Sequence, residues 1–154
     1  MEKVLLKKLK DGKFGNVSPA RSKTMSAIRG RGNKATEIRL RFMLVRAGIR
    51  GWELHSKGIV GNPDFFFPAH RIAVFVDGCF WHGCPICGHV PKTNTDFWKA
   101  KIQRNRSRDH ENTKKLKKLG IGVVRYWEHE LRENPQKCVS KLGKQLSRFS
   151  ITTL

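Results

Sequence analysis

An unbroken apolar run, Ile72-Ala-Val-Phe-Val76, opens directly onto Asp77-Gly-Cys-Phe-Trp-His-Gly-Cys-Pro-Ile-Cys87. The run has the β-branched and aromatic character of a strand buried on both faces. The segment after it is chemically unlike a core: a carboxylate, two aromatics, a histidine and three thiols in eleven positions. A core gains nothing from that mixture at a strand end, whereas a metal site or a catalytic site uses every one of those groups. The chain is therefore expected to fold around a central strand that delivers this segment to a functional site.

Composition narrows the partners. With 154 residues, 38% of them hydrophobic, the chain can bury one core. Its 32 Lys and Arg against 12 Asp and Glu give a formal net charge of +20, a field that attracts polyanions, and nucleic acid above all. Membrane association is not expected, because no 18-residue apolar stretch occurs and the basic segments lack a wide apolar face. The first ten residues lack the apolar core of a secretory signal, which points to a cytoplasmic, nucleoid-associated protein. Thiols stay reduced there, so Cys79, Cys84 and Cys87 read as zinc ligands before disulfide halves.

Two parts are expected along the chain. Residues 1–32 mix Lys and Arg with four glycines and a proline and cannot build a core, which makes them a basic N-terminal arm. Within it, one or two helical turns over 21–29 would set Met25 and Ile28 on one side, with Arg21 and Lys23 among the basic groups around them, suited to a DNA groove. Residues 33–150 form the single folded domain. Ile38, Phe42 and Val45 recur at helical spacing over 34–47, with Gly48 as the stop and Glu37 in the first turn, where a carboxylate complements the helix dipole.

Short strands are expected at Trp52–His55, Asp64–Phe67 and Ile72–Val76, joined by turns at 58–63 and 68–70. A long basic helix should follow from about Asp96 to Leu119, capped by Thr95 and Gly120, then a fourth strand at Ile121–Trp127 and a last helix from Pro135 to Arg148. This order describes an α/β fold with a mixed central sheet flanked by helices.

Three groupings carry chemistry. Cys79, Cys84 and Cys87 give Cys-x4-Cys-x2-Cys spacing and need a fourth ligand; His89, His129 and Cys138 are candidates, and His129 is favoured because it follows the fourth strand, where adjacent strand ends meet. Asp64 at the start of one strand and Asp77 at the end of the next would come near each other if those strands pair, and paired carboxylates hold Mg²⁺. His82 fits three roles: zinc ligand, structural histidine, or general base for an attacking water.

Read together, Arg21-Ser-Lys-Thr-Met-Ser-Ala-Ile28, Gly61-Asn-Pro-Asp-Phe65, Val74-Phe-Val-Asp-Gly-Cys-Phe-Trp-His82, Thr95-Asp-Phe-Trp98, Arg108-Asp109 and Val124-Arg-Tyr-Trp-Glu128 resemble the very-short-patch repair DNA mismatch endonucleases over roughly residues 20–132. The resemblance implies a restriction-endonuclease-like core with structural Zn²⁺ and catalytic Mg²⁺, nicking one strand 5′ to the thymine of a T:G mismatch left by deaminated 5-methylcytosine. It gives Asp64 and the main-chain carbonyl of Val76 to Mg²⁺, with Asp77 beside them, His82 to the attacking water, and Glu37 to the first helix of the site. It gives Cys79, Cys84, Cys87 and His129 to zinc. Phe80, Trp81 and Trp98 become a wedge beside the mismatch, with Met25, Arg21 and Lys23 as further DNA contacts.

The family's best-described pattern has Thr-His where this chain has Val76-Asp77, which brings the site nearer to a two-carboxylate nuclease. The implied partners are duplex DNA carrying the mismatch, repair proteins and a cytosine methyltransferase system, met by a monomer. Two other readings compete: a nuclease of this fold acting on other distorted or site-specific duplexes, and a zinc-stapled DNA-binding module without catalysis. Asp64 separates the last, because a pure binding module loses by placing a carboxylate beside phosphate.

Overall fold

The computed structural model describes residues 34–151 together with Ser18 and Ala20. Arg21, Lys23 and Met25 of the basic arm lie outside the described residues. The elements run α1 (Lys34–Arg46), β1 (Glu53–Leu54), β2 (Phe65–Phe67), a 3₁₀ turn (Pro68–His70), β3 (Ile72–Asp77), α2 (Thr95–Lys118), β4 (Gly122–Trp127), α3 (Glu128–Glu133) and α4 (Pro135–Ile151). The four strands form one mixed sheet in the order β1-β2-β3-β4. β2 pairs antiparallel with both β1 and β3, and β4 runs parallel to β3 after the α2 crossover.

Alternation along the strands sorts two cores onto the two faces of the sheet. Phe65, Phe67, Ile72, Val74, Val124 and Tyr126 meet Leu40 and Leu44 of α1, Leu131 of α3, and Cys138, Val139, Leu142 and Leu146 of α4. On the opposite face Ala73, Phe75 and Ile121 meet Leu116 of α2. β3 contributes to both cores, as its apolar run requires. The Tyr126 hydroxyl donates to the carbonyl of Cys138 at 2.8 Å, tying β4 to α4.

Three local features differ from the sequence expectation. α1 forms where expected, but Ile38, Phe42 and Val45 are 60%, 62% and 56% exposed, while Leu40 and Leu44 are fully buried. Apolar residues occur all round this helix, so two stripes have helical spacing, and the neighbouring elements select the Leu40/Leu44 one. Thr95 does not cap α2: the N-cap is Asn94 in a left-handed conformation, and the Thr95 hydroxyl instead donates to the carbonyls of Pro91 and Lys92. The short helix α3, whose first turn carries His129, has no counterpart in the sequence expectation; Glu130 accepts from the Trp127 N–H at 2.8 Å and starts it.

The basic helix α2 turns one side inward. Ile102 and Leu116 are buried, and between them Asn105, Asp109 and Thr113 recur every fourth residue and reach the functional segment and β4. Gly120 closes the helix with φ +71°, its N–H on Lys117 O and the Ile121 N–H on Leu116 O.

Candidate active site and metal centre

The site is built around the C-terminal end of β3. In the β2–β3 register Phe65 faces Val74, so two steps on, at the next position of the same hydrogen-bonding type, Pro63 would face Val76. Pro63 has no N–H to offer the Val76 carbonyl. On the same side the Val76 N–H is taken by the Asp64 carboxylate, Oδ2 at 2.7 Å, in place of a strand carbonyl. The Pro-Asp pair thus ends the β2–β3 ladder and fixes Asp64 beside the backbone of Val76. Burial raises the Asp64 carboxyl above the usual carboxylate range; the Val76 N–H opposes that rise and the nearby Glu37 adds to it.

Asp64 is grouped with residues from two other elements. Glu37 of α1 and His55, which follows β1, each place a ligand atom so that the three lie within 4.8 Å of one another. Asp77 is not in that group. Its carboxylate is forked by Arg125, Nε to Oδ2 at 2.7 Å and Nη2 to Oδ1 at 2.9 Å. Strand pairing does bring the ends of β2 and β3 together, but the side chains of Asp64 and Asp77 join different clusters.

The second cluster comprises Asp77, His82 and Asp109. The His82 Nδ1–H donates to Asp109 Oδ2, and Asp77 Oδ1 stands 3.8 Å from the same nitrogen. Arg125 also approaches Asp109 at 3.4 Å and lies 4.5 Å over the ring of Phe75. Burial alone would raise the Asp109 carboxyl, but the His82 hydrogen bond and the charges of His82, Arg125 and Arg108 outweigh it and hold Asp109 below its ordinary range. Arg125 is likewise held above its usual value against burial, because Asp77 bonds it. An imidazole whose Nδ1 is fixed by a carboxylate leaves Nε2 to accept a proton, the arrangement of a general base.

The cysteines close a separate centre. His129 Nδ1 lies 3.3 Å from Cys79 Sγ, 3.6 Å from Cys84 Sγ and 3.4 Å from Cys87 Sγ, and the last two sulfurs are 3.8 Å apart. Tetrahedral zinc with ordinary bond lengths would separate two sulfurs by about 3.8 Å and a sulfur from a nitrogen by about 3.6 Å. The donor set fits. Of the other candidate ligands, Cys138 is buried in the α4 core and His89 is exposed, its ring 5.6 Å from Phe80. Burial and the neighbouring Cys87 push the Cys79 thiol up to about 12, whereas amide N–H groups of Cys87 and Ile86 overcome burial and lower Cys84. A thiol that resists ionising beside two other sulfurs and an imidazole nitrogen is a place for a cation.

Along the chain, Phe80 and Trp81 stand between Cys79 and His82. Phe80, Trp81 and Trp98 form a half-buried cluster with ring centroids 5.1, 5.4 and 5.9 Å apart, and Phe97 backs Trp98 at 5.1 Å. The Asn105 side chain donates to Trp81 O at 2.9 Å, fixing the loop that carries Phe80 and Trp81 to α2. Sequence alone points to Glu37, Asp64, Asp77 and His82 but not to His55, Asp109 or Arg125 as parts of these clusters. An arginine in a strand otherwise made of Gly, Val, Tyr and Trp is the signal that could expose the last of them.

Similarity to known proteins covers the same segments. The profile of the family described as DNA mismatch endonuclease Vsr matches residues 17–87, a span that holds Asp64, Asp77, Cys79 and His82. The DNA mismatch endonuclease Vsr of Escherichia coli strain K12 is 39% identical over 131 residues, 84% of this chain and 82% of that protein. This chain belongs to the Vsr family. The chain is accordingly an endonuclease acting on DNA, and its mixed sheet and flanking helices are the restriction-endonuclease-like core of that family. Other Vsr-related proteins are named as nicking enzymes: type II nicking enzyme V.NaeI of Lentzea aerocolonigenes is 41% identical over 118 residues, 74% of this chain and 70% of that protein. V.HpaIIP of Haemophilus parainfluenzae is 33% identical over 128 residues, covering 82% and 90%. Among the described residues no helix is long and apolar enough to cross a membrane.

Proposed function

We propose that this endonuclease nicks one strand of duplex DNA 5′ to the thymine of a T:G mismatch and so initiates short-patch repair of deaminated 5-methylcytosine. The observation that carries the reading is the joining of a nuclease centre to an aromatic wedge through one six-residue step: Asp77 and His82 bracket Phe80 and Trp81. A mispaired step is cheaper to unstack than a paired one, and an aromatic face replaces the lost stacking. Phe80, Trp81 and Trp98 are the wedge, and Arg21, Lys23 and Met25 of the arm add contacts to the duplex.

Asp64, Glu37 and the Val76 carbonyl hold Mg²⁺, which when bound supplies positive charge to the phosphate and lowers the cost of ionising water. His82, held through Nδ1 by Asp109, takes the proton from the attacking water at Nε2. The water oxygen bonds to phosphorus as one ester P–O bond breaks, and the leaving sugar oxygen takes up a proton. Asp77, with its charge engaged by Arg125, holds the His82 and Asp109 pair in place and is not itself bonded to the metal. Cys79, Cys84, Cys87 and His129 hold Zn²⁺, which anchors the loop carrying both the histidine and the aromatics. The protein works on cytoplasmic, nucleoid DNA as a monomer, alongside repair proteins and a cytosine methyltransferase system.

The test is nicking of otherwise identical T:G and fully paired duplexes with Mg²⁺ or with chelator, for the wild type and Asp64→Ala. The expected result is a single nick in the mismatched duplex, absent with chelator and in the variant. Equal nicking of both duplexes would overturn the mismatch assignment and favour site-specific nicking. Normal nicking by Asp64→Ala would overturn the site.

A further inference from the structure

We propose that His55 is a nitrogen ligand of the cation held at Glu37 and Asp64, making the nuclease centre a mixed carboxylate and imidazole site that takes Mn²⁺ at least as well as Mg²⁺. The inference rests on the reading of Glu37 and Asp64 as the cation site and adds a residue to it. Ligand atoms of Glu37, His55 and Asp64 lie within 4.8 Å of one another. Opposite ligands of one six-coordinate ion with bonds near 2.1–2.5 Å stand roughly 4–5 Å apart, so the three donors have the spread of a single coordination sphere.

His55 is held in this position by its backbone. It has φ +47°, a left-handed conformation that a residue leaving a strand rarely adopts without a reason. Its N–H donates to the Asp64 carbonyl at 3.2 Å, so the turn locks His55 to the very residue whose carboxylate leads the site. The Nε2 atom reaches Glu37 Oε1 at 2.9 Å. Two heteroatoms that share a proton at that distance can share a cation instead, with the imidazole neutral and its proton on Nδ1.

Exposure supports the same arrangement. Asp64 is buried and the Glu37 side chain is 15% exposed, whereas the His55 side chain is 56% exposed. The donors thus run from the floor of the site to its rim, where DNA phosphate and water would complete the sphere. A histidine serving only the fold would gain little from contacting a carboxylate at the surface. Mn²⁺ shares the preference of Mg²⁺ for carboxylate and carbonyl oxygen but, as a first-row transition ion, accepts an added imidazole more readily, which sets the expected preference.

The full-length, zinc-loaded protein is titrated with Mn²⁺ and followed by electron paramagnetic resonance, with pulsed measurement of ¹⁴N coupling to the bound ion. The expected result is one Mn²⁺ carrying imidazole nitrogen coupling. His55→Asn, whose new side chain also tolerates left-handed backbone, should lose that coupling and bind Mn²⁺ on the order of tenfold to a hundredfold more weakly. Asp64→Asn should abolish binding. A wild-type spectrum without nitrogen coupling, or coupling that survives in His55→Asn, would overturn His55 as a ligand while leaving the cation site standing. Failure of the wild type to bind Mn²⁺ at millimolar concentration would overturn the cation site and this inference together.

Discussion

Arg125 of β4 faces Phe75 of β3 and, from there, forks the carboxylate of Asp77 with hydrogen bonds of 2.7 and 2.9 Å. The family's best-described pattern has a histidine at the position of Asp77, so this chain carries a charge there together with a counter-charge on the neighbouring strand. The guanidinium also approaches Asp109 and is hydrogen-bonded to Thr113, so one side chain joins β3, β4 and α2 beneath His82. Removing one member of a largely buried pair strands the other. Arg125→Met should therefore lower stability in urea by about 3 kcal/mol, and the double change Asp77→Leu with Arg125→Met should recover most of it. A loss in the double variant equal to the sum of the Asp77→Leu and Arg125→Met losses would show that the two charges are not coupled.

The pair of His82 and Asp109 makes a different prediction, because it acts on rate more than on stability. Asp109→Asn keeps the size of the side chain but can no longer hold the imidazole as a charged acceptor, so kcat for nicking should fall by about 10²–10⁴-fold with KM little changed. The Asp109 carboxyl is held below its ordinary range, so its contribution to stability is fully present above the unfolded value near pH 3.9 and is lost as pH falls through the lower folded value. Acid titration of stability in the wild type should show that loss, and Asp109→Asn should not.

The central strand, the order of elements and the cysteine cluster were legible because each rests on a local rule: apolar run, turn residues, ligand spacing. The union of Cys79, Cys84 and Cys87 with His129 could be anticipated from the parallel return of β4 beside β3, which places the residue after β4 next to the residue after β3. What could not be read was side-chain direction. Asp64 immediately precedes β2 and Asp77 ends the β3 paired with it, yet one turns to Glu37 and His55 and the other to Arg125, a choice made by neighbours from α1 and β4. The short helix α3 escaped for a related reason, since six residues carry too little periodicity to be seen against the adjacent strand and helix.

Helix α1 shows the same limit and can be tested directly. Its sequence carries two apolar stripes, and Leu40 and Leu44, with Met43 packed beside them, reach the core. Leu44→Ala should cost about 2–5 kcal/mol through lost burial and the cavity left behind. Val45→Ser, on the exposed stripe one residue away, should stay within about 0.5 kcal/mol of the wild type. A reversal of these two effects in thermal or urea unfolding would mean that the helix docks by its other side.

The metal knuckle depends on an atom that is missing by design of the sequence. A Cβ on Gly88 would lie 2.4 Å from the carbonyl oxygen of Cys84 and 2.8 Å from its nitrogen, and both are backbone atoms that cannot rotate away. The same turn carries the hydrogen bond from the Gly88 N–H to Cys84 O at 2.9 Å, which brings the chain round so that the Cys84 and Cys87 sulfurs stand 3.8 Å apart, as two ligands of one ion would. The wild type should purify with about one zinc per chain. Gly88→Ala should weaken zinc binding on the order of tenfold to a hundredfold, as a disturbed ligand frame does, and lower the melting temperature accordingly. Gly143→Ala is the contrasting change: it sits within α4 with only Ile49 Cδ1 at 3.8 Å from a new Cβ, so it should gain about 0.5–1 kcal/mol from helix propensity. Zinc content by elemental analysis and melting curves on the three proteins decide the matter. If Gly88→Ala keeps its zinc and melts with the wild type, the turn is not what holds Cys84 and Cys87 to a common ion.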